Sequence, residues 1–263
     1  MATEKSHQPR KRFGQNFLKD MAVIQQIVAA INPGKSDHVV EIGPGMGVLT
    51  EALMPEVGYL DAVELDRDLV AKLKSTSLPL GNFSIHSADA LTFDFCSLCK
   101  NDEPVRVVGN LPYNISTPLL FHLFTQVHCI TDMHFMLQKE VVNRMTALPD
   151  TRAYGKLSVM VQYHCEVEKL FDVPPQAFSP PPKVDSSVVR LIPHKSSIVS
   201  INNYEDFEKI VTLCFAQRRK TLHNNLKAIL TDEQLQSVNI DPSRRAETLS
   251  IEEFAALSQL LSH

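Results

Sequence analysis

A chain of 263 residues, 44% hydrophobic and 21% charged, has the composition of an ordinary soluble globular protein and the length for one α/β domain plus a small companion. Its net charge of −4, from 26 Lys and Arg against 30 Asp and Glu, excludes a wholly basic surface, so any nucleic-acid contact has to come from local patches. No apolar stretch approaches the roughly 20 residues that span a bilayer, and the polar start Met1-Ala-Thr-Glu-Lys-Ser-His lacks the apolar core of a signal peptide. A cytoplasmic protein without a membrane partner is the expectation.

Asp20 followed by Val23, Ile24, Ile27, Val28 and Ile31 predicts a capped amphipathic helix that stops near Pro33-Gly34. His38 to Ile42 is a short strand entering a glycine turn, Gly47 to Met54 the helix after it, Tyr59 to Leu65 a second strand and Asp66 to Thr76 a second helix. Strands follow at Phe83–Ile85 and Val105–Val108, a helix at Ser116–Gln126, an extended segment at Met133–Leu137 and a helix at Lys139–Leu148. Lys156–Phe171 and Val184–Ile192 read as two more strands, separated by Pro174-Pro175 and Pro180-Pro-Pro182. Short apolar strands alternating with helices indicate a doubly wound parallel sheet, here with an antiparallel edge. Beyond a linker at residues 194–203 the pattern is helical, with stripes at Phe207, Ile210, Val211, Cys214 and Phe215 and at Leu222, Leu226, Ile229 and Leu230. A capping box of Ser250 and Glu253 opens the last helix. The expected division is therefore 1–195 for the α/β part and 196–263 for a small all-α domain.

The turn Glu41-Ile-Gly-Pro-Gly-Met-Gly47 lies between a strand and a helix, where glycines let the backbone approach a ligand at the carboxyl end of the sheet. Its third glycine comes two residues after the second, so the dinucleotide fingerprint is absent and a cofactor without a pyrophosphate is suggested. Glu64, 21 residues after Gly43, ends the second strand, where a carboxylate can hold both ribose hydroxyls. Asp89 follows the third strand and can accept from an adenine amino group. To this point nicotinamide and methionine-derived cofactors are not separable.

Asn110-Leu-Pro-Tyr113 follows the fourth strand at the same edge. An adenine N6 amine is a poor nucleophile because its lone pair is delocalised into the ring. Two acceptors, the Asn110 side-chain oxygen and the backbone at Pro112, can bind its protons and localise that pair. Tyr113 can stack on the base, a contact worth about 1–3 kcal/mol. Phe178, at the head of Phe178-Ser-Pro-Pro-Pro-Lys-Val-Asp-Ser186, is read as the second face of a sandwich around an extruded base. Methyl transfer needs positioning more than acid–base power, so no histidine or carboxylate need act as base. Arg10-Lys11-Arg12 and Arg218-Arg219-Lys220, the latter with Lys227, Arg244 and Arg245, are the two basic patches. The five cysteines (Cys96, Cys99, Cys129, Cys165 and Cys214) are odd in number and scattered, which argues against a disulfide framework. Cys96-Ser-Leu-Cys99 is a lone CxxC read as two ordinary thiols, and no metal is expected.

Lys11-Arg-Phe-Gly-Gln-Asn-Phe-Leu18, the glycine turn, Asn110-Leu-Pro-Tyr-Asn-Ile115, the Phe178–Ser186 segment and Phe215-Ala-Gln-Arg-Arg-Lys-Thr-Leu222 occur in that order. Together they resemble the ribosomal RNA adenine N6,N6-dimethyltransferase family, and within it the bacterial branch whose loss confers kasugamycin resistance. The resemblance implies a Rossmann-like methyltransferase sheet, S-adenosylmethionine as cofactor and two adjacent adenines near the 3′ end of small-subunit rRNA as target. It also implies that Gln15, Asn16 and Leu18 fold over the methionine end of the cofactor, while Gly43, Gly45, Glu64, Asp89 and Asn110 bind the rest. Arg218, Arg219 and Lys220 would grip RNA backbone, the partner would be the small ribosomal subunit, and a monomer is expected. Similar Asn-Pro-Tyr turns serve DNA adenine and protein glutamine methyltransferases, and an assembly or transcription factor keeping the fold without turnover is the rival of a different class.

Overall fold

The computed structural model describes residues 16–75, 81–101 and 103–261. Arg10-Lys11-Arg12 and Gln15 lie outside them. The elements run β1 (Phe17–Leu18), α1 (Met21–Ile31), β2 (His38–Ile42), α2 (Val48–Leu53), β3 (Tyr59–Glu64), α3 (Arg67–Ser75), β4 (Phe83–Ser87), β5 (Val105–Asn110), α4 (Ser116–Phe124), β6 (Ile130–Gln138) and α5 (Lys139–Met145). They continue with α6 (Lys156–His164), β7 (Cys165–Val173), β8 (Phe178–Ser179), β9 (Ser186–Pro193), α7 (Tyr204–Cys214), α8 (Leu222–Leu226), α9 (Asp232–Ser237) and α10 (Ile251–Gln259).

Seven strands form one sheet in the order β4-β3-β2-β5-β6-β9-β7. The first five are parallel, and β9 runs antiparallel to β6. The chain thus winds outward from β2 in two directions, which opens a crevice at the carboxyl ends of β2 and β5. Strand β2 is buried along Val39, Val40, Glu41 and Ile42, as a strand covered on both faces must be. Helix α1 begins at Asp20, whose carboxylate accepts from the Ala22 and Val23 N–H groups, and it buries Ile24, Ile27 and Ile31. One buried charge of the sheet is paired on both sides. Asp61 of β3 is bonded at 2.6 Å by both His38 and His86 from the flanking strands. Burial alone would raise its carboxyl, but those two bonds hold it below the usual range.

Two expectations are corrected. Residues 156–171 are not one strand: α6 occupies 156–164 and β7 begins at Cys165. The Ser158 hydroxyl accepts from the Gly155 N–H at 3.0 Å and donates to the Arg144 carbonyl at 2.5 Å. Val159, Met160 and Val161 are buried one after another. Three consecutive buried apolar residues in the middle of a short helix obscure the periodicity that separates it from a buried strand. Second, Cys96 and Cys129, 33 residues apart, are joined as a disulfide, whereas Cys99, Cys165 and Cys214 are not disulfide-bonded.

The chain divides into two compact units, residues 1–142 with 168–193 and residues 143–167 with 194–263. The second unit therefore takes an internal segment containing α6 as well as everything after the sheet. Its core joins Phe207, Ile210, Val211 and Cys214 of α7 to Leu222, Leu226, Phe254 and Leu257, with the Phe215 and Phe254 rings 5.6 Å apart. The expected capping box forms, Ser250 accepting from the Glu253 N–H and Glu253 from the Ser250 N–H. No helix of the described residues is long and apolar enough to cross a membrane.

Candidate functional site

A cavity of about 360 Å³ opens at the carboxyl ends of β2, β3, β4 and β5, a size that takes a small-molecule cofactor. Asn16, Leu18, Gly43, Gly45, Glu64, Asp89, Asn110, Pro112 and Tyr113 all line it. Residues drawn from motifs nearly a hundred positions apart are thus brought to one wall.

The glycine turn shapes the floor. Gly43 and Gly45 adopt φ of +66° and +59°, which L side chains rarely tolerate. A Cβ on Gly43 would meet nothing within 4 Å, so the bare backbone there faces open space that a ligand can fill. A Cβ on Gly45 would come within 3.1 Å of the Phe17 ring, the residue that begins β1. Strand β1 pairs with β8 as a two-stranded ribbon, Phe17 opposite Ser179 and Leu18 opposite Phe178.

Three acids approach the cavity. Glu64 is 7% exposed, and its two oxygens accept from the Gly45 N–H at 3.2 Å and the Asp66 N–H at 2.8 Å. Burial raises its carboxyl, with the two backbone donors working against the shift. Asp89 accepts from the Leu91 N–H at 3.0 Å through one oxygen, which orients the other. Glu41 was not singled out from the sequence. It is fully buried, accepts from the Thr50 hydroxyl at 2.6 Å, and is pushed up to about 7 by burial and then by the charge of Glu64. An acid ending an otherwise apolar strand, His-Val-Val-Glu-Ile, was the available signal.

The acceptor end is built from β5. Asn110 donates through Nδ2 to the Asn16 carbonyl at 3.0 Å, which orients the amide and sets its oxygen, the side chain's one acceptor, on the opposite side. The Pro112 carbonyl accepts from the Ile115 N–H at 3.1 Å, closing the turn that starts α4. The Tyr113 hydroxyl is 2.7 Å from Ser186 Oγ, which fixes the ring. Burial raises the Tyr113 phenol, so it stays neutral. Gly109 packs so closely on β2 that a Cβ there would lie 2.6 Å from the Ile42 carbonyl oxygen.

Phe178 is placed differently from the expectation. It is 1% exposed and packs in the core with Leu18, Ile24, Val173 and Ala177 rather than on the cavity wall. An aromatic ring beside an apolar core gains more from burial than from waiting in solvent for a ligand.

In the second unit Arg218, Arg219 and Lys220 are all exposed. Arg218 is nevertheless engaged, donating through Nη2 to the Arg152 and Tyr154 carbonyls at 2.8 and 2.9 Å. Arg244, grouped with this patch from the sequence, is instead a structural residue that forks onto Glu253 and donates to the Thr248 carbonyl.

A family model for ribosomal RNA adenine dimethylase matches residues 6–263. A Ribosomal RNA small subunit methyltransferase A of Marinomonas sp. (strain MWYL1) is 52% identical over 98% of this chain and 97% of its own length. The protein of that name from Legionella pneumophila (strain Lens) is 53% identical over 98% and 99%. Among solved structures, a dimethyladenosine transferase from Plasmodium falciparum superposes with a TM-score of 0.79 at 28% identity, covering 94% of this chain and 96% of that one. The 23S rRNA methyltransferase ErmE superposes with a TM-score of 0.67 at 25% identity, covering 94% and 100%.

Proposed function

The chain belongs to the ribosomal RNA adenine dimethylase family, and on that premise we propose that it transfers methyl groups from S-adenosylmethionine to N6 of two adjacent adenines near the 3′ end of 16S rRNA in the small ribosomal subunit, giving N6,N6-dimethyladenosine. The observation that carries the chemistry is the Asn110 amide, which one Nδ2 hydrogen bond to the Asn16 carbonyl holds in orientation and whose oxygen can accept.

The cavity fits the cofactor. An unobstructed glycine backbone at Gly43, an acid on each of two neighbouring strand ends and apolar walls from Leu18 and Leu65 suit a nucleoside with a methionine arm. Glu64 would take the ribose hydroxyls and Asp89 the adenine amine, with Asn16, Leu18 and the Gly43–Gly45 turn closing over the remainder. When bound, S-adenosylmethionine supplies a methyl group already activated by its sulfonium. The protein's own part is then positional. Asn110 Oδ1 and the second lone pair of the Pro112 carbonyl hold the two N6 protons of the target base and localise the nitrogen lone pair towards the methyl. Tyr113, held by Ser186, stacks on the base and offsets the few kcal/mol of unstacking. Phe178 supports that clamp from within the core through the β1–β8 ribbon.

Residues 1–195 are assigned catalysis and 196–263 RNA binding, with Arg219 and Lys220 contacting phosphates and Arg218 doing so through the nitrogens not already bonded. We place the enzyme in the cytoplasm as a monomer that works during small-subunit biogenesis. The test is transfer of labelled methyl from S-adenosylmethionine to small subunits from cells lacking the modification, followed by digestion to nucleosides. Label in dimethyladenosine is the expected result. Tight cofactor binding with unlabelled subunits would refute the assigned substrate.

A further inference from the structure

At the amino-terminal edge of the sheet, opposite the cofactor crevice, two single turns of 3-10 helix bring sulfur and imidazole together. Cys96 lies on the turn Phe95–Leu98, and His128 and Cys129 end the turn Val127–Cys129 that leads into β6. The Cys96 and Cys129 sulfurs and a His128 ring nitrogen all lie within 4.8 Å of one another, and His128 Nε2 is 3.5 Å from Cys96 Sγ. Gln126 holds the two turns in place, its side-chain oxygen accepting from the Phe95 N–H at 2.7 Å and the Cys96 N–H at 3.4 Å. Cys99, one turn on from Cys96, donates to the Cys129 carbonyl at 3.6 Å and is not one of the three clustered ligands. None of these residues lines the cofactor cavity.

We propose that, with the Cys96–Cys129 bond reduced, Cys96, His128 and Cys129 bind one thiophilic divalent cation of the zinc type, with the fourth position open to water. Two thiolates and an imidazole are the donor set such an ion prefers. Tetrahedral bonds of about 2.3 Å to sulfur and 2.0–2.1 Å to nitrogen put neighbouring ligand atoms roughly 3.5–3.8 Å apart. The Cys96 Sγ–His128 Nε2 separation already matches that edge, and the two sulfurs need only part. Disulfide and ion-loaded forms are alternatives for the same sulfurs. Opening the bond takes two electrons and two protons from an external dithiol, which closes into its own disulfide. The cation then displaces one proton from each thiol that ligates it. The site would clip the segment after β4 to the start of β6, a tie made by ligand bonds instead of a covalent link.

The test uses the full chain, reduced with a phosphine, freed of reductant and shown by titration of a denatured sample to carry five thiols, then titrated with Co²⁺ in the folded state. The expected result is one equivalent bound, with a near-ultraviolet thiolate-to-cobalt band and the visible bands of a tetrahedral ion, both bleached by Zn²⁺. The thiolate band should weaken in Cys129→Ser and in Cys96→Ser and be lost in the double variant. The visible bands should shift in His128→Ala, whose exposed side chain can be removed without opening the core. Cys214→Ser, in the other unit, should change nothing. A reduced protein with all five thiols and no thiolate band overturns the proposal, and so does a thiolate band that the double serine variant retains.

Discussion

Replacing Phe178 by alanine separates two accounts of the loop before β9. The ring is 1% exposed in a core shared with Leu18 and Ile24. A phenylalanine buries about 150–250 Å², which at about 25 cal/mol per Å² is worth some 4–6 kcal/mol before the smaller burial of alanine is subtracted. The expected loss is therefore about 3–5 kcal/mol, the usual range for a buried Phe→Ala. At about 2–4 °C per kcal/mol for a domain of this size, the midpoint should fall by roughly 6–20 °C. Because Leu18 pairs with Phe178 and lines the cofactor cavity, affinity for S-adenosylmethionine should fall with stability, whereas Phe178→Leu should recover most of both. Urea unfolding and calorimetric cofactor titration measure the two quantities. If Phe178→Ala kept its stability and cofactor affinity but lost turnover, the burial argument would be refuted, and the ring would have to leave the core to stack on the base.

Glu64→Gln should weaken cofactor binding by calorimetry without unfolding the protein, and unchanged affinity would remove Glu64 as the ribose ligand. Asn110→Ala should lower kcat by on the order of 10²–10³, the scale for losing one preorganised partner of the reacting group, while a stacking loss at Tyr113→Ala should leave cofactor affinity nearly intact. Replacing Arg219 and Lys220 by alanine should reduce the salt slope of RNA binding by about 0.7–0.9 per lost phosphate contact. The same change at Arg218 should also loosen the Arg152–Tyr154 turn that it bonds. Glu41 gives a pH signature. Its carboxyl is raised from 4.5 to about 7 in the folded state, so the native protein keeps a proton that the unfolded chain releases between those values. Stability from this group is complete below pH 4.5 and is lost as pH rises towards 7, by about 3 kcal/mol at 1.36 kcal/mol per pH unit. Glu41→Gln should flatten that decline in urea unfolding across the range, and an unchanged slope would mean that the group is ionised when folded.

The sheet was legible in the sequence because parallel strands buried on both faces read as short apolar runs between helices, and β2 matches its predicted span of His38–Ile42. Helix α6 was not, since Val159, Met160 and Val161 are buried together and blur the helical period over its centre. The cavity residues were readable because each needs a particular chemistry at a strand end. Phe178 misled for the opposite reason: an aromatic beside prolines looks the same in sequence whether it waits for a base or fills a core. Glu41 was printed inside the glycine motif and passed over, because its role depends on Thr50 and Glu64, which only the fold brings near. The Cys96–Cys129 pairing depends on a Gln126 side chain reaching back to Phe95, a contact that no local spacing announces.

The register of β2 and β5 sets a length scale for the reaction. Glu41 is paired with Val108 in the parallel ladder, and two residues further the chains reach Gly43 on one strand and Asn110 on the next. On the proposed assignment the cofactor turn and the target-base turn leave neighbouring strands, whose spacing is about 4.8 Å, and Gly109 lets the two backbones approach without a side chain between them. That ruler is made of backbone hydrogen bonds, so changes at the surface cannot stretch it. Under the proposed reading, loops elsewhere can vary which RNA is brought to the crevice while the spacing of these two strand ends stays constant.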